Sequence, residues 1–479
     1  MNPPLRKLTA IVIVMFLTLM AAATSLQFFR ADSLNADARN VRTLYKQYGI
    51  DRGPIIVAGE AITGSTAVDS PYRYQRTYSH GELYAPITGY FSVVYNSMTG
   101  MERAENGVLS GSSDELFGQR LNELISGKEP QGGGVSLTIN PRAQQAAWDA
   151  LGNQRGAVVA IEPETGKILA LVSKPTFDPN IIASHDVATA QQGWNSYESD
   201  PAHPLENRAI GGDLFAPGSV FKLITASAML ESGITADTLI DAPTTYTPPQ
   251  TDHKIFNPGQ RPCGDGSGKV PLRQAFLQSC NTAFAIGGQR LGQDAMTKMA
   301  EAYGFHTNFE IPLETRGAVF PKNSSEAALA MASFGQQDVR VSPLQMAMVA
   351  AAIANNGVLM TPYLVDQTLS ADLAVLSQTE PHEFSRPISA KTASDMRSMM
   401  IDVVNRGTGT HAALGNVQVA GKTGTAEISP EVEPHAWFAG FDATDHPRVA
   451  VAAFVENGGD GGEVAGPVAR AVIEAVVSQ

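Results

Sequence analysis

The chain opens on an apolar run, Leu8 to Phe29, that carries no charged residue and follows Arg6 and Lys7. As a helix rising about 1.5 Å per residue, a run of this length crosses a hydrocarbon core of about 30 Å. It predicts a cytoplasmic tail over 1–7 and a membrane anchor over 8–29. A cleavable signal ending at Ala21-Ala22-Ala23 is the alternative; the anchor is preferred because the apolar run continues through Leu26, Phe28 and Phe29. Arg30, Arg39 and Arg42 follow closely, which weakens any charge asymmetry across the span. Either reading sends the rest of the chain out of the cytoplasm.

Beyond the anchor the pattern changes to short extended segments. Arg52-Gly53-Pro54-Ile55-Ile56-Val57 reads as a turn feeding a strand. Arg73, Tyr74, Arg76, Tyr78 and Tyr84 alternate polar and aromatic positions, which predicts an extended region. Gln131-Gly132-Gly133-Gly134 reads as a flexible break, Val135 to Ile139 as a strand, and Pro141 to Leu151 as a helix with proline near its start. These features set a small mixed domain at 30–145.

A second domain, 146–479, starts with apolar runs at Ala157–Ile161 and Lys167–Val172 around a hairpin turn. Helical periodicity then dominates, with helices predicted over Val220–Leu230, Leu272–Leu291 and Pro343–Asn355. Strands return at Gln418–Thr425, Ala436–Phe441 and Val449–Glu456, and Val464–Val477 closes the chain as a helix. Strands at both ends of a helical block predict an α+β domain: an antiparallel sheet flanked by helices, with a helical subdomain. Pro243 to Gly268, rich in glycine and proline, reads as a long surface loop.

Composition narrows the function classes. Hydrophobic residues make up 43% and charged residues 17%, as in a core-forming protein, and the net charge of −13 argues against nucleic acid as a partner. An acidic chain that binds an anion needs a local cation, for which Lys422 is the candidate. The only cysteines are Cys263 and Cys280. Outside the cytoplasm such a pair is compatible with a disulfide; two separate buried thiols are the alternative.

Three short motifs carry the candidate chemistry. Ser219-Val220-Phe221-Lys222 reads S-x-x-K, Ser279-Cys280-Asn281 reads S-x-N, and Lys422-Thr423-Gly424-Thr425 reads K-T-G-T. Ser219 follows Ala216-Pro217-Gly218 at the start of an apolar helical run, where free N–H groups favour a developing oxyanion. Lys222 lies one turn on among apolar neighbours, where desolvation favours the neutral amine that can accept a serine proton. Ser279 has a hydroxyl that can pass a proton, and Asn281 an amide that can bind a lysine and a carbonyl at once. The two glycines around Lys422 weaken a strand unless another backbone comes close, and an edge strand with a lysine and two hydroxyls suits an extended peptide with a terminal carboxylate. Singly, each motif is also explained by capping, a turn or a bulged strand. Jointly, in this order, they point to acyl transfer on serine.

The motifs resemble those of the penicillin-binding proteins, the serine D,D-transpeptidases that cross-link peptidoglycan. Arg52-Gly53-Pro54-Ile55 and Gly100-Met101-Glu102 resemble the pedestal signatures of the class B branch, which lacks a glycosyltransferase domain. The segments Pro175–Asn180, Asn207-Arg208-Ala209, Phe334-Gly335-Gln336, Pro343–Ala347, Ala354–Gly357 and His435–Gly440 extend the likeness over most of 52–470, closest to the actinobacterial A-type group. The resemblance implies the penicillin-recognising transpeptidase fold behind a pedestal domain. It implies Ser219 as nucleophile, Lys222 as base, Ser279 as proton relay and Asn281 as a positioning amide. Lys422, Thr423, Gly424 and Thr425 would hold the terminal carboxylate of D-Ala-D-Ala, and the N–H groups of Ser219 and Thr425 would form the oxyanion hole. It implies no metal or other cofactor. The implied partners are stem peptides as donor and amine acceptor, β-lactams, the membrane and wall-building machinery such as a glycosyltransferase, in growth, division or cell shape. Asn140 departs from the aspartate frequent in the family, away from the site. A serine β-lactamase or sensor, a carboxypeptidase and a non-catalytic scaffold are the competing readings; the pedestal-like region argues against the first.

Overall fold

The computed structural model describes residues 3–29, 48–127, 129–429 and 431–478. Arg30, Arg39 and Arg42, which bear on the orientation of the anchor, lie outside them. The N-terminal helix runs Pro3–Thr24 and widens into a π-helical turn, Ser25–Phe29. Ile11, Phe16 and Leu19 are exposed along it, and it is long and apolar enough to cross a membrane.

The central element of the large domain is an antiparallel five-stranded sheet. Its strands are β1 (Gly156–Ile161), β2 (Ile168–Lys174), β3 (Val419–Ala426), β4 (His435–Asp442) and β5 (Ala450–Val455), in the order β3-β4-β5-β1-β2. Strands from the two ends of the domain thus meet where β5 pairs with β1. Side chains alternate across the sheet. Ala157, Val159, Ile161, Trp437, Ala439 and Phe441 enter one core, and Val158, Ala160 and Phe438 enter a second. Helices α1 (Pro141–Leu151) and α6 (Gly466–Val477) cover that second face. On the first face lie α2 (Lys222–Glu231), α3 (Asn281–Leu291), α4 (Pro343–Ala354) and α5 (Ala390–Arg406). With both faces covered, β1, β4 and β5 are buried throughout, so their sequences read as continuous apolar runs rather than alternation. Helix α4 is apolar except for Gln345, whose amide donates to Tyr303 O at 2.6 Å, and is buried at every residue, as expected of a core helix.

A second five-stranded sheet organises the pedestal: Val375–Gln378, Val365–Leu369, Gly134–Leu137, Ile55–Val57 and Glu60–Ala61, in that order. Two expectations change here. The hairpin 365–378, assigned by sequence to the second domain, pairs with the pedestal strand Gly134–Leu137. Helix α1 packs on the large domain's sheet, so a boundary at 145 cuts through it. Asn140 caps α1, accepting from the N–H groups of Arg142 and Ala143 at 3.0 and 3.2 Å, a role asparagine fills as well as aspartate.

Three local readings are also corrected. The extended region ends at Tyr78, and Tyr84 lies in the helix Gly81–Thr88. The glycines at 132–133 are a close-packing point rather than a flexible break: a Cβ on Gly132 would sit 1.9 Å from Leu109 O, and one on Gly133 2.3 Å from Leu369 O. The helical stretch expected over Leu272–Leu291, with Ser279 at the end of a segment or between two, is two helices, Leu272–Leu277 and α3, with Ser279 between them.

Candidate active site

Ser219 stands in a short 3-10 turn, Gly218–Phe221, that runs directly into α2. Three residues per turn bring positions i and i+3 into line, so Ser219 faces Lys222, with Oγ and Nζ 2.9 Å apart. The turn is pinned on several sides. Phe215 pairs with Val341, the Gly218 N–H donates to Gly335 O at 3.0 Å, and the Trp437 indole N–H donates to Ala216 O at 3.0 Å. Gly218 has φ +53°, and a Cβ there would lie 2.6 Å from Thr425 O, so only glycine lets the nucleophile turn lie this close to the K-T-G strand.

Ser279 follows the helix Leu272–Leu277 in the left-handed region, at φ +57°. That conformation is uncommon for a residue other than glycine, and it turns both the Ser279 hydroxyl and carbonyl toward Lys222. Lys222 Nζ donates to Ser279 O at 2.6 Å and Asn281 Oδ1 at 2.7 Å, and lies 3.2 Å from Ser279 Oγ. The two shortest contacts are to oxygens that only accept. A neutral amine has two N–H groups for them and a lone pair left over, which is free to receive the Ser219 hydroxyl.

Strand β3 forms one edge of the sheet. Lys422 and Gly424 pair with Ala439 and Trp437, whose side chains enter the helical-block core, so the lysine points inward. Thr423 and Thr425 alternate to the other face. Lys422 Nζ donates to Ser279 Oγ at 2.9 Å and to Thr423 O at 3.1 Å. Ser279 Oγ therefore lies between two amines that are 57 and 143 residues from it in sequence. Lys422, expected from the sequence to meet a substrate carboxylate, is 0% exposed here and its ammonium faces Ser279. Thr423 Oγ1 is 2.6 Å from Thr408 Oγ1, and Thr425 is exposed beside Gly461. The glycine reading of this strand is met: a Cβ on Gly424 would lie 2.8 Å from Pro217 O and 3.0 Å from Val220 N.

The electrostatics follow from burial. Both lysines are fully buried, and neither has a carboxylate partner among the described residues. Desolvation first, and then the charge of Lys422, push Lys222 well below the ordinary lysine range. Desolvation lowers Lys422 to about 7, against a partial upward pull from Asp460.

The sequence missed how Asn281 is aimed. Its Nδ2 donates to Phe256 O at 2.8 Å, from the small pairing of Thr245–Tyr246 with Ile255–Phe256. Beside it, Thr282 Oγ1 donates to Pro243 O at 2.7 Å and the Thr282 N–H to Asn257 Oδ1 at 3.1 Å. Cys263 and Cys280 are joined in a disulfide. The glycine- and proline-rich segment is thus the wall that holds the second motif. The paired cysteines were its one sequence signal; nothing local marked Phe256 or Thr408, and Trp437 was marked only as part of the His435–Gly440 likeness.

A serine in reach of a buried lysine whose charged form is disfavoured, a hydroxyl bridging a second lysine, and an open strand edge together define a serine acyl-transferase site. Comparison with known proteins gives the same class. Residues 156–474 match the penicillin-binding protein transpeptidase domain, and residues 52–135 the penicillin-binding protein A dimerisation domain. The chain is 44% identical to the peptidoglycan D,D-transpeptidase PbpA of Mycolicibacterium smegmatis, over 100% of both chains. It is similar to the crystal structure of PBPA from Mycobacterium tuberculosis, at a TM-score of 0.86 and 43% identity over 90% of this chain and 100% of that one. The penicillin G acyl-enzyme complex of that protein gives a TM-score of 0.85 and 43% identity over 89% and 100%. The chain belongs to the class B penicillin-binding proteins. Within that class it is PbpA-like.

Proposed function

We propose that this protein is a peptidoglycan D,D-transpeptidase that cross-links stem peptides through an acyl-enzyme on Ser219. The observation that carries this reading is the approach of Lys222 Nζ to Ser219 Oγ at 2.9 Å, in a site where burial favours the neutral amine. Lys222 accepts the hydroxyl proton while Oγ attacks the carbonyl carbon of the penultimate D-Ala. The N–H groups of Ser219 and Thr425 stabilise the tetrahedral oxyanion. Collapse breaks the peptide bond and expels the terminal D-Ala, whose amine takes a proton passed through Ser279. An acceptor amine then attacks the ester, returns its proton along the same route and frees Ser219. Thr423 and Thr425 hold the donor carboxylate by their hydroxyls, with Lys422 supplying charge from behind them, while Gly424 lets the strand approach the nucleophile. Asn281 aligns Lys222 and the donor amide. A β-lactam takes the same path, but its leaving amine stays tethered and the adduct persists.

The N-terminal helix serves as a retained single-pass anchor, with the catalytic domain outside the cytoplasm where peptidoglycan lies. The pedestal lifts that domain from the membrane and offers a surface to wall-building machinery such as a glycosyltransferase.

Fluorescent penicillin tests the reading. Parent protein is expected to label on the peptide containing Ser219, and folded Ser219→Ala not to label. Labelling that persists in Ser219→Ala refutes the nucleophile. Labelled protein that only trims D-Ala from a stem-peptide donor in the presence of an amine acceptor would make it a carboxypeptidase.

A further inference from the structure

We infer that Trp437 is a positioning residue for acylation, acting through its indole N–H. The inference rests on Ser219 as the nucleophile. Trp437 is 0% exposed and pairs across the β3–β4 ladder with Gly424, the glycine of K-T-G. Its ring extends past that glycine and donates to Ala216 O at 3.0 Å, three residues before Ser219. One side chain therefore ties the nucleophile turn to the strand pair that carries the carboxylate-binding hydroxyls.

The surroundings make this tie a rigid one. The Trp437 ring packs on Phe454 with centroids 4.5 Å apart, and Phe454 packs on Phe215 at 4.2 Å. Phe215 leads into the same turn and is held to Val341 by N–H···O bonds of 2.9 and 2.8 Å in the two directions. On the other side of the tie, a Cβ on Gly424 would strike Pro217 O, and one on Gly461 would lie 2.5 Å from Trp437 O. The gap between turn and strand is thus narrow and walled by backbone on both sides.

The two N–H groups assigned to the oxyanion hole sit on opposite sides of that gap, Ser219 on the turn and Thr425 on the strand. Oxyanion stabilisation depends on donor spacing, and a small displacement costs rate without costing ground-state affinity. Without the indole N–H, Ala216 O loses its donor and the turn relaxes away from the strand. The ring alone would still fill the core.

The test separates the N–H from the ring. Trp437→Phe and a variant carrying 3-benzothienylalanine at 437, which keeps the bicyclic shape but has no N–H, are acylated with a chromogenic cephalosporin in stopped flow. Active sites are counted by fluorescent penicillin labelling. Loss of one hydrogen bond predicts an acylation rate constant down about tenfold in both variants, with the reversible binding constant unchanged. A benzothienylalanine variant acylating at the parent rate overturns the inference, as does a loss shared equally between binding and rate. Melting temperature lowered with the rate intact assigns Trp437 to packing alone and also overturns it. Failure of the parent to label at Ser219 instead refutes the underlying assignment of the nucleophile, so the two failures are distinct.

Discussion

In the pedestal, Arg52 and Arg76 close on Glu102 from two sides, at 2.5 and 2.6 Å; beneath the K-T-G strand, Lys222 and Lys422 close on the Ser279 hydroxyl with no carboxylate between them. Both clusters are buried. In the first, the Arg76 guanidinium also donates to Arg52 O, Gly53 O and Thr63 Oγ1, and Tyr78 OH donates to Glu102. Burial pushes the Glu102 carboxyl up, but Arg76 and Arg52 outweigh it and hold the group below its usual range. Each guanidinium there faces the shared carboxylate and its donors are satisfied, which fits a structural junction. In the second cluster burial acts on like charges, and the result is a pair of amines that give up protons easily. A charged cluster that the fold compensates holds shape; one that it leaves uncompensated stores reactivity.

The largest expected effect breaks the compensated side. Glu102→Ala leaves two guanidinium groups buried without their anion and is expected to cost about 3–5 kcal/mol in urea unfolding, with the acylation constant of the folded fraction unchanged. A loss below about 1 kcal/mol would mean that water reaches the cluster.

Substitution on the uncompensated side has the opposite profile. Lys222→Arg keeps a cation but supplies no neutral amine, and acylation is expected to fall at least about a hundredfold by fluorescent-penicillin kinetics. Lys222→Met is expected to lose as much activity while melting no lower than the parent, because the cost of taking the lysine out of water and stripping its proton is removed. Near-parental rates in Lys222→Arg would show that charge alone suffices.

The pH responses sharpen the contrast with smaller effects. A lysine depressed in the folded state binds fewer protons folded than unfolded, so stability rises with pH between its folded and unfolded pKa values. For Lys422 that window runs from about 7 to 10.5. The urea midpoint of the parent is expected to rise across the window relative to Lys422→Met, and equal slopes would show that Lys422 is not depressed. Glu102, also depressed, has the same sign in a lower window: its contribution is present above the unfolded carboxylate pKa and is lost as pH falls through the lower folded one. Acylation itself is expected to rise with pH as Lys222 deprotonates.

Much of this site was legible in the chain because its parts are local. S-x-x-K spans one helical turn, so Ser219 and Lys222 meet wherever that turn forms. The strand runs, the hairpin at β1–β2 and the Asn140–Pro141 helix start follow from side-chain period, turn chemistry and capping. The pedestal signatures were legible as a likeness, but not as one ion cluster, because Arg52, Arg76 and Glu102 are brought together by strands and turns far apart in sequence.

By itself, then, the sequence determined the α+β class, the apolar N-terminal helix, the three motifs and the serine–lysine step between neighbours on one turn. Only the tertiary structure decided that Lys422 turns inward onto Ser279, that Ser279 takes φ +57°, that residues 365–378 complete the pedestal sheet, and that a presumed surface loop aims Asn281. The division has one physical cause. Period, propensity and capping act over a few residues, whereas the exclusion of water that shifts a lysine, and the contacts that cross tens to hundreds of residues, exist only once both faces of the sheet are covered.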